Sequence, residues 1–258
     1  MRDERDIAEV AARQHASGVD LLKVMATGGV TTAGTIPAEA VFSVRELQQV
    51  VAAAGGKPVA AHAHGVQGVQ AAVEACVHTI EHCSWVDARG SWGCYDAPTV
   101  QRMAERGTIV CPTIGRGWAT KLGLQAAMSP ALQAMHRAGV RLAASTDAGA
   151  IPNLPHHLLC DSLPVLQRCA GMTNAETLRA ATSVAALACC IEHLTGAVCE
   201  GLAADLLVVP GNPLDTLAAV CAPLSVVCRG AVVQPCTRSE GRAVWASNND
   251  NRCACAGR

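Results

Sequence analysis

The 258-residue chain has few aromatic side chains and no excess of charge of either sign. Aromatic residues make up only 2% of the sequence, so stacking platforms for bases or sugars are not expected. The formal net charge is −1, which removes the electrostatic argument for binding nucleic acid or an anionic membrane surface. Half of the residues are hydrophobic and 16% are charged, and this balance excludes intrinsic disorder of the whole chain.

The sequence also lacks a long hydrophobic run. Segment 217–228 comes closest to the roughly 18 apolar residues of a membrane helix, but Pro223 and Ser225 interrupt it. Residues 1–10 are rich in charge and lack the apolar centre of a signal peptide. We therefore expect a soluble, cytoplasmic protein with no membrane partner.

The 14 cysteines do not form a recognisable framework. Disulfide scaffolds belong mainly to short secreted chains, and no C-x-x-C pair occurs in the sequence. Cys253 and Cys255 form only a C-x-C in a polar tail, which is a weak metal signal. Several other cysteines lie in apolar segments, where a free thiol packs as a small hydrophobic group. We expect packing to be their main role.

Short apolar segments alternate with amphipathic helical segments along the chain. The candidate strands are 19–26, 58–63, 77–82, 108–113 and 140–146. The candidate helices between and after them include 43–54, with a Ser43–Glu46 capping box, 130–138 and 175–187. The alternation predicts a parallel α/β sheet, either doubly wound or part of a (β/α)8 barrel, which needs eight strands. The absence of a G-x-G-x-x-G sequence after the first strand argues against a dinucleotide-binding sheet.

The pattern changes after residue 195. Residues 196–238 contain short β-like segments separated by glycine and proline, and they predict a small β unit. Residues 239–258 are polar and rich in arginine, and we expect this tail to be poorly ordered. The α/β body would then comprise residues 1–195.

Polar residues occur within or at the ends of four of the five candidate strands. Lys23 lies in the first, His62 and His64 end the second, His82 ends the third, and Asp147 follows the fifth. In parallel α/β folds, functional side chains gather at the carboxyl ends of the strands. Imidazole and carboxylate groups bind zinc, which lowers the pKa of bound water. The pattern predicts a metal-dependent hydrolase site.

Each of these residues has a plainer interpretation. His62 and His64 face the same side of a strand, and either both bind metal or one is structural or contacts substrate. Glu81 precedes His82 and should point to the opposite face, as a structural carboxylate behind the strands. Lys23 could extend to the barrel rim, and Asp147 could cap a turn.

The segments LLKVMATGGV (21–30), PVAAHAHG (58–65), TIEHCS (79–84) and ASTDAG (144–149) together resemble the amidohydrolase superfamily. The similarity is greatest to imidazolonepropionase-like and Xaa-Pro dipeptidase-like metal-dependent hydrolases. It rests on the order and spacing of the four motifs together. The resemblance implies a TIM-type (β/α)8 barrel that is incomplete here. Residues 1–195 would supply about strands four to eight, followed by part of a small β domain.

By this resemblance, Lys23 would be a carbamylated lysine that bridges metal ions, and His62 and His82 would be ligands from strands five and six. Asp147 would be a ligand and the catalytic general base. Three further residues would lie near the substrate: His64, Gly28 and Gly29. The implied cofactor is a divalent metal, zinc foremost, as one or two ions. The implied reaction hydrolyses an amide, cyclic amide or dipeptide C–N bond with a metal-activated water.

One departure from the family pattern matters. The family's first-strand His-X-His pair is absent upstream of Lys23, so we expect the C-terminal part of a longer enzyme. Such a chain alone would bind about one ion weakly and show little hydrolysis. The alternative is that His62-Ala63-His64 is itself the first-strand pair. The Lys23 segment, which lies upstream of these histidines, argues against this. The contrasting hypothesis is an inactive barrel fragment that pairs with itself or with an N-terminal partner, because missing strands leave open edges.

Overall fold

The computed structural model describes residues 4–115, 121–150 and 156–233. In chain order, the first elements are α1 (Glu4–Ala16), β1 (Leu22–Met25), α2 (Val44–Ala53), β2 (Val59–Gly65), α3 (Val66–Glu74), β3 (Thr79–Val86), α4 (Ala97–Arg106), β4 (Ile109–Cys111), α5 (Leu122–Arg137) and β5 (Arg141–Leu142). A 3-10 turn (His156–Leu158), α6 (Leu159–Ala170), α7 (Asn174–Ala181) and α8 (Ser183–Ala188) follow. The last elements are β6 (Leu206–Val208), a 3-10 helix (Leu217–Cys221), β7 (Ser225–Cys228) and β8 (Ala231–Val233).

Strands β1 to β5 form one parallel sheet in chain order. Each of the five strands lies within or overlaps a segment that the sequence predicted, so the parallel α/β prediction is confirmed. The sequential order is that of neighbouring strands in a barrel. Within the described residues the sheet remains open, with β1 at one edge and β5 at the other.

Local signals explain several helix ends. Ser43 and Glu46 form the predicted capping box at the start of α2, with the Glu46 carboxylate accepting a 2.7 Å bond from the Ser43 amide. Two helical predictions need correction. Helix α5 begins at Leu122 and contains Pro130 in its interior, whereas the prediction began at Pro130. The predicted helix 175–187 is divided at Thr182, whose ψ of −92° falls outside the helical region.

The two faces of the sheet have different neighbours. On one face, Leu22 and Val24 of β1 are buried in the main core, which also contains Met103 and Leu132 from the helices. On the other face, Lys23 and Met25 of β1 are exposed. At the far side of that second face, Ile109 and Cys111 of β4 and Ala143, which directly follows β5, pack against α8. The second face therefore stays accessible near β1, where the predicted site residues lie.

Strands β6, β7 and β8 form a separate antiparallel sheet at the positions predicted for the β unit. The boundaries at 195 and 238 remain predictions, and residues 239–258 lie outside the described residues. None of the helices that the structure describes is both long and apolar enough to span a bilayer.

Candidate metal centre

A cavity of about 320 Å³ lies at the carboxyl ends of β1, β2 and β3. It is lined by Lys23, Met25, Gly29, Val30, Thr31, Thr32, His62, His64, His82 and Asp147. The structure thus brings together residues that are up to 124 positions apart, between Lys23 and Asp147, and that the sequence assigned to one site. Their assignment as ligands stays a prediction.

Three histidines form the centre of this cavity. The His62 and His82 ring centroids are 4.6 Å apart, and those of His64 and His82 are 4.4 Å apart with nearly parallel planes. One ring nitrogen from each histidine can be chosen so that all three lie within 4.8 Å of one another, a spacing that could hold a metal ion. The geometry does not separate His62 from His64. His64, which the resemblance placed near substrate, is therefore also a candidate ligand.

The position of His82 depends on an irregularity in β3. In the register of the sheet His62 pairs with Glu81, so regular alternation would turn His82 away from His62. The pairing shifts after His82, and His82 itself adopts a left-handed backbone with a φ of 68°. Positive φ is uncommon for histidine and often occurs at functional sites. This bend turns the His82 ring into the cavity.

The same register corrects the expectation for Glu81. Glu81 pairs with His62 on one side and with Cys111 on the other, so it lies on their face of the sheet and not behind the strands. Its carboxylate accepts a 2.8 Å hydrogen bond from the Thr79 hydroxyl. The expectation was wrong because it counted alternation from His82, whose backbone is irregular.

Each imidazole has one ring nitrogen in a hydrogen bond that fixes the orientation of the ring. The pairs are His62 Nε2 with the Gly28 carbonyl (3.2 Å), His64 Nδ1 with Ser84 Oγ (2.8 Å), and His82 Nδ1 with Thr113 Oγ1 (2.7 Å). Because a carbonyl only accepts, His62 Nε2 donates and its Nδ1 keeps a free lone pair. Such supporting bonds are typical of metal-binding histidines. Neither Ser84 nor Thr113 was among the predicted site residues; Ser84 lies in β3 two residues after His82, and Thr113 lies two residues after the end of β4.

Burial keeps these imidazoles neutral. Burial, with a smaller contribution from neighbouring histidines, lowers the pKa of His64 to about 4 and that of His82 to about 3. Burial also lowers the pKa of His62. Metal ligation requires the neutral ring, so at neutral pH all three are in the form that binds a cation. This donor set fits a divalent ion.

Lys23 and Asp147 provide the charges of the cavity. Lys23 lines the cavity together with His62 and His82, and its positive charge contributes to the lowered pKa of both. The negative charge of Asp147 acts in the opposite direction on the pKa of His62. Asp147 is exposed and has a φ of 54°. Both residues therefore face the histidines from the open side of the cavity.

Gly28 and Gly29 form the loop after β1. A Cβ atom on Gly28 would lie 2.4 Å from the carbonyl oxygen of Ile36, which is backbone and cannot rotate away. A Cβ atom on Gly29 would lie 3.0 Å from Thr32 Oγ1 and 3.8 Å from the His62 ring. Gly29 lines the cavity, whereas Gly28 acts through its carbonyl bond to His62.

We expect Gly28→Ala to destabilise the chain by about 1–3 kcal/mol, because the added methyl group forces the 28–36 loop apart. The shift should also move the carbonyl that orients His62 and weaken divalent-ion binding. Urea unfolding and metal titration measure the two effects. Gly123→Ala is the control, since its Cβ would meet no atom within 4 Å and the residue lies in α5. Equal stability of the two variants would contradict the close-approach argument.

Comparisons with known proteins agree with this geometry. A model of the Amidohydrolase family matches residues 2–233. Ochratoxinase from Aspergillus niger is 33% identical over 210 residues, which is 78% of this chain and 42% of that protein. Its crystal structure superposes with a TM-score of 0.72 at 29% identity, over 89% of this chain and 54% of that one. A Xaa-Pro dipeptidase with methionine bound in its active site gives a TM-score of 0.78 at 25% identity, over 91% and 59% of the two chains. The chain spans less than half the length of the curated relatives that it matches, and it belongs to the amidohydrolase family.

Proposed function

We propose that this chain carries the site of a metal-dependent hydrolase that cleaves an amide or dipeptide C–N bond. The observation that carries the proposal is the convergence of three neutral histidines, Lys23 and Asp147 in one cavity. The name of one structural neighbour supports the bond class, since a Xaa-Pro dipeptidase cleaves the peptide bond of a dipeptide. We also propose a cytoplasmic location.

The histidines and Asp147 have separate tasks in this proposal. His62 and His82 hold the ion, and His64 offers a third imidazole from the same side. When bound, a divalent ion, in our proposal zinc, supplies Lewis acidity and makes water more acidic. The Asp147 carboxylate takes a proton from the attacking water and delivers it to the leaving nitrogen. Its exposed position at the mouth of the cavity allows both contacts.

Lys23 requires a change of charge to help a cation bind. As an ammonium it repels a divalent ion, in the same way that it lowers the pKa of His62 and His82. Attack of the neutral amine on carbon dioxide, with loss of one proton, would give a carbamate anion. We propose this modification because Lys23 faces the histidines from the accessible side of β1, where carbon dioxide can reach it.

A three-histidine site needs neither the carbamate nor a further histidine pair. Three protein ligands and one open position are enough for a catalytic zinc ion. We therefore propose that the chain holds at least one ion through His62, His64 and His82. A catalytically silent binding fragment is the second candidate, since the cavity-facing Lys23 and Met25 of β1 are exposed and Met25 is 45% accessible.

Hydrolysis by the purified chain distinguishes the two candidates. The chain is loaded with zinc and tested on Xaa-Pro dipeptides, N-acyl amino acids and cyclic amides, with product amine measured. In line with the missing first-strand pair, we expect only slow hydrolysis of at least one class, its loss on chelation, and its return when zinc is added. Stoichiometric zinc binding without hydrolysis of any class would favour the silent fragment. Failure to bind zinc would overturn the proposed metal site itself.

A further inference from the structure

A second group of metal-binding side chains lies outside the histidine cavity. Cys160 and Asp161 are in the first turn of α6, and Cys221 ends the 3-10 helix Leu217–Cys221. Their ligand atoms, two sulfurs and one carboxylate oxygen, all lie within 4.8 Å of one another. All three residues are partly buried, which leaves a path from solvent. None of them lines the cavity of the candidate metal centre.

The spacing suits a tetrahedral ion. With Zn–S bonds of about 2.3 Å and Zn–O bonds of about 2.0–2.2 Å, two donors on one zinc ion lie about 3.3–3.8 Å apart. The three atoms therefore need only small side-chain rotations to reach one ion. Thiolate sulfur selects thiophilic cations such as Zn²⁺ over Mg²⁺ or Ca²⁺.

The charges are also compatible with a cation. Two thiolates and a carboxylate carry a formal charge of about −3, which a divalent ion reduces to about −1. Cys160 and Asp161 lie at the amino-terminal end of α6, where the helix dipole favours the remaining negative charge. The site thus combines soft thiolate ligands with a helix dipole that stabilises their negative charge.

We propose that Cys160, Asp161 and Cys221 bind a thiophilic divalent cation, Zn²⁺, at a site distinct from the histidine centre. The ion fastens the 3-10 helix to α6, against which that helix already packs with Leu217 and Ala219 buried. Water occupies the fourth position. Because the three ligands assemble only when the two helices are docked, the ion binds the folded chain selectively and stabilises it.

Cobalt(II) is the direct probe of this site. Thiolate ligands give sulfur-to-cobalt charge-transfer absorption in the near ultraviolet, whereas no cysteine among the described residues lines the histidine cavity. We expect this band with the reduced wild-type chain and its loss in Cys221→Ser. Cys199→Ser, which removes an exposed cysteine elsewhere, should retain the band. Asp161→Asn should retain thiolate absorption and bind cobalt at least about tenfold more weakly.

Thermal unfolding with zinc gives an independent measurement. At a free zinc concentration of about 100 times the dissociation constant of the cysteine site, we expect that site alone to raise the wild-type Tm by about 5–10 °C. Cys221→Ser should lose this contribution and keep the part of the rise that comes from zinc at the histidine centre, and circular dichroism of the metal-free variant checks its fold. An unchanged cobalt band in Cys221→Ser would overturn the proposal. A Cys160–Cys221 disulfide in mass spectra of the chain purified without reductant, together with no cobalt–thiolate band after reduction, would also overturn it.

Discussion

Replacing His82 by alanine is expected to weaken divalent-ion binding at the histidine cluster by more than about 100-fold. Loss of a supporting hydrogen bond to a metal ligand already costs about 10–100-fold in affinity, and loss of the ligand itself should cost more. His82 is the ring that both other histidines approach, with centroid distances of 4.6 Å to His62 and 4.4 Å to His64. Competition with a chelator in a Cys221→Ser background measures the affinity of this centre alone.

Two variants control for indirect effects. His193→Ala removes an exposed histidine away from the cavity and should bind zinc as the parent does. Thr113→Val keeps the His82 ring and removes its 2.7 Å hydrogen bond, so its loss should be intermediate. The positive φ of His82 costs about 1–2 kcal/mol for alanine as it does for histidine, so the substitution should leave the backbone in place, and circular dichroism verifies the fold. Unchanged zinc affinity in His82→Ala would remove His82 from the ligand set.

The strands were predictable because each combines a local apolar run with polar residues near its end. Strand β2 shows this clearly, since Val59 and the alanines that follow are buried and His62 and His64 complete the segment. The face of His64 also followed from its spacing to His62, and both residues line the cavity. Local sequence contains this information because the period of a strand is fixed by its backbone geometry.

The irregular positions were not predictable in the same way. The orientation of His82 and Glu81 depends on a shift in pairing with β2, which is a contact between strands and not a property of β3 alone. The interior position of Pro130 in α5 likewise depends on tertiary packing that offsets a poor local preference. Cys160 and Cys221 meet only because α6 and the 3-10 helix pack together. No local period relates these two cysteines in the sequence.

Asp147→Asn is expected to lower kcat for amide hydrolysis by about 10²–10⁴-fold, because the neutral amide cannot accept the proton from the attacking water. Asparagine tolerates the left-handed backbone at this position, where φ is 54°, so the loop should keep its conformation. The three histidines remain, and we expect zinc affinity to change by less than about tenfold. Initial rates at several substrate concentrations separate kcat from KM, and elemental analysis verifies zinc content.

The control is Asp20→Asn, an exposed aspartate just before β1 that does not line the cavity and should leave the rate unchanged. If Asp147→Asn kept its zinc and its rate within about threefold, Asp147 would not be the base. Glu81 is then the next group to test, because its register beside His62 places a second carboxylate on the cavity face of the sheet. Glu81→Gln would lower kcat if proton transfer runs through that carboxylate. If the bond from Thr79 gives Glu81 only a structural role, the substitution would instead lower the free energy of unfolding and leave kcat unchanged.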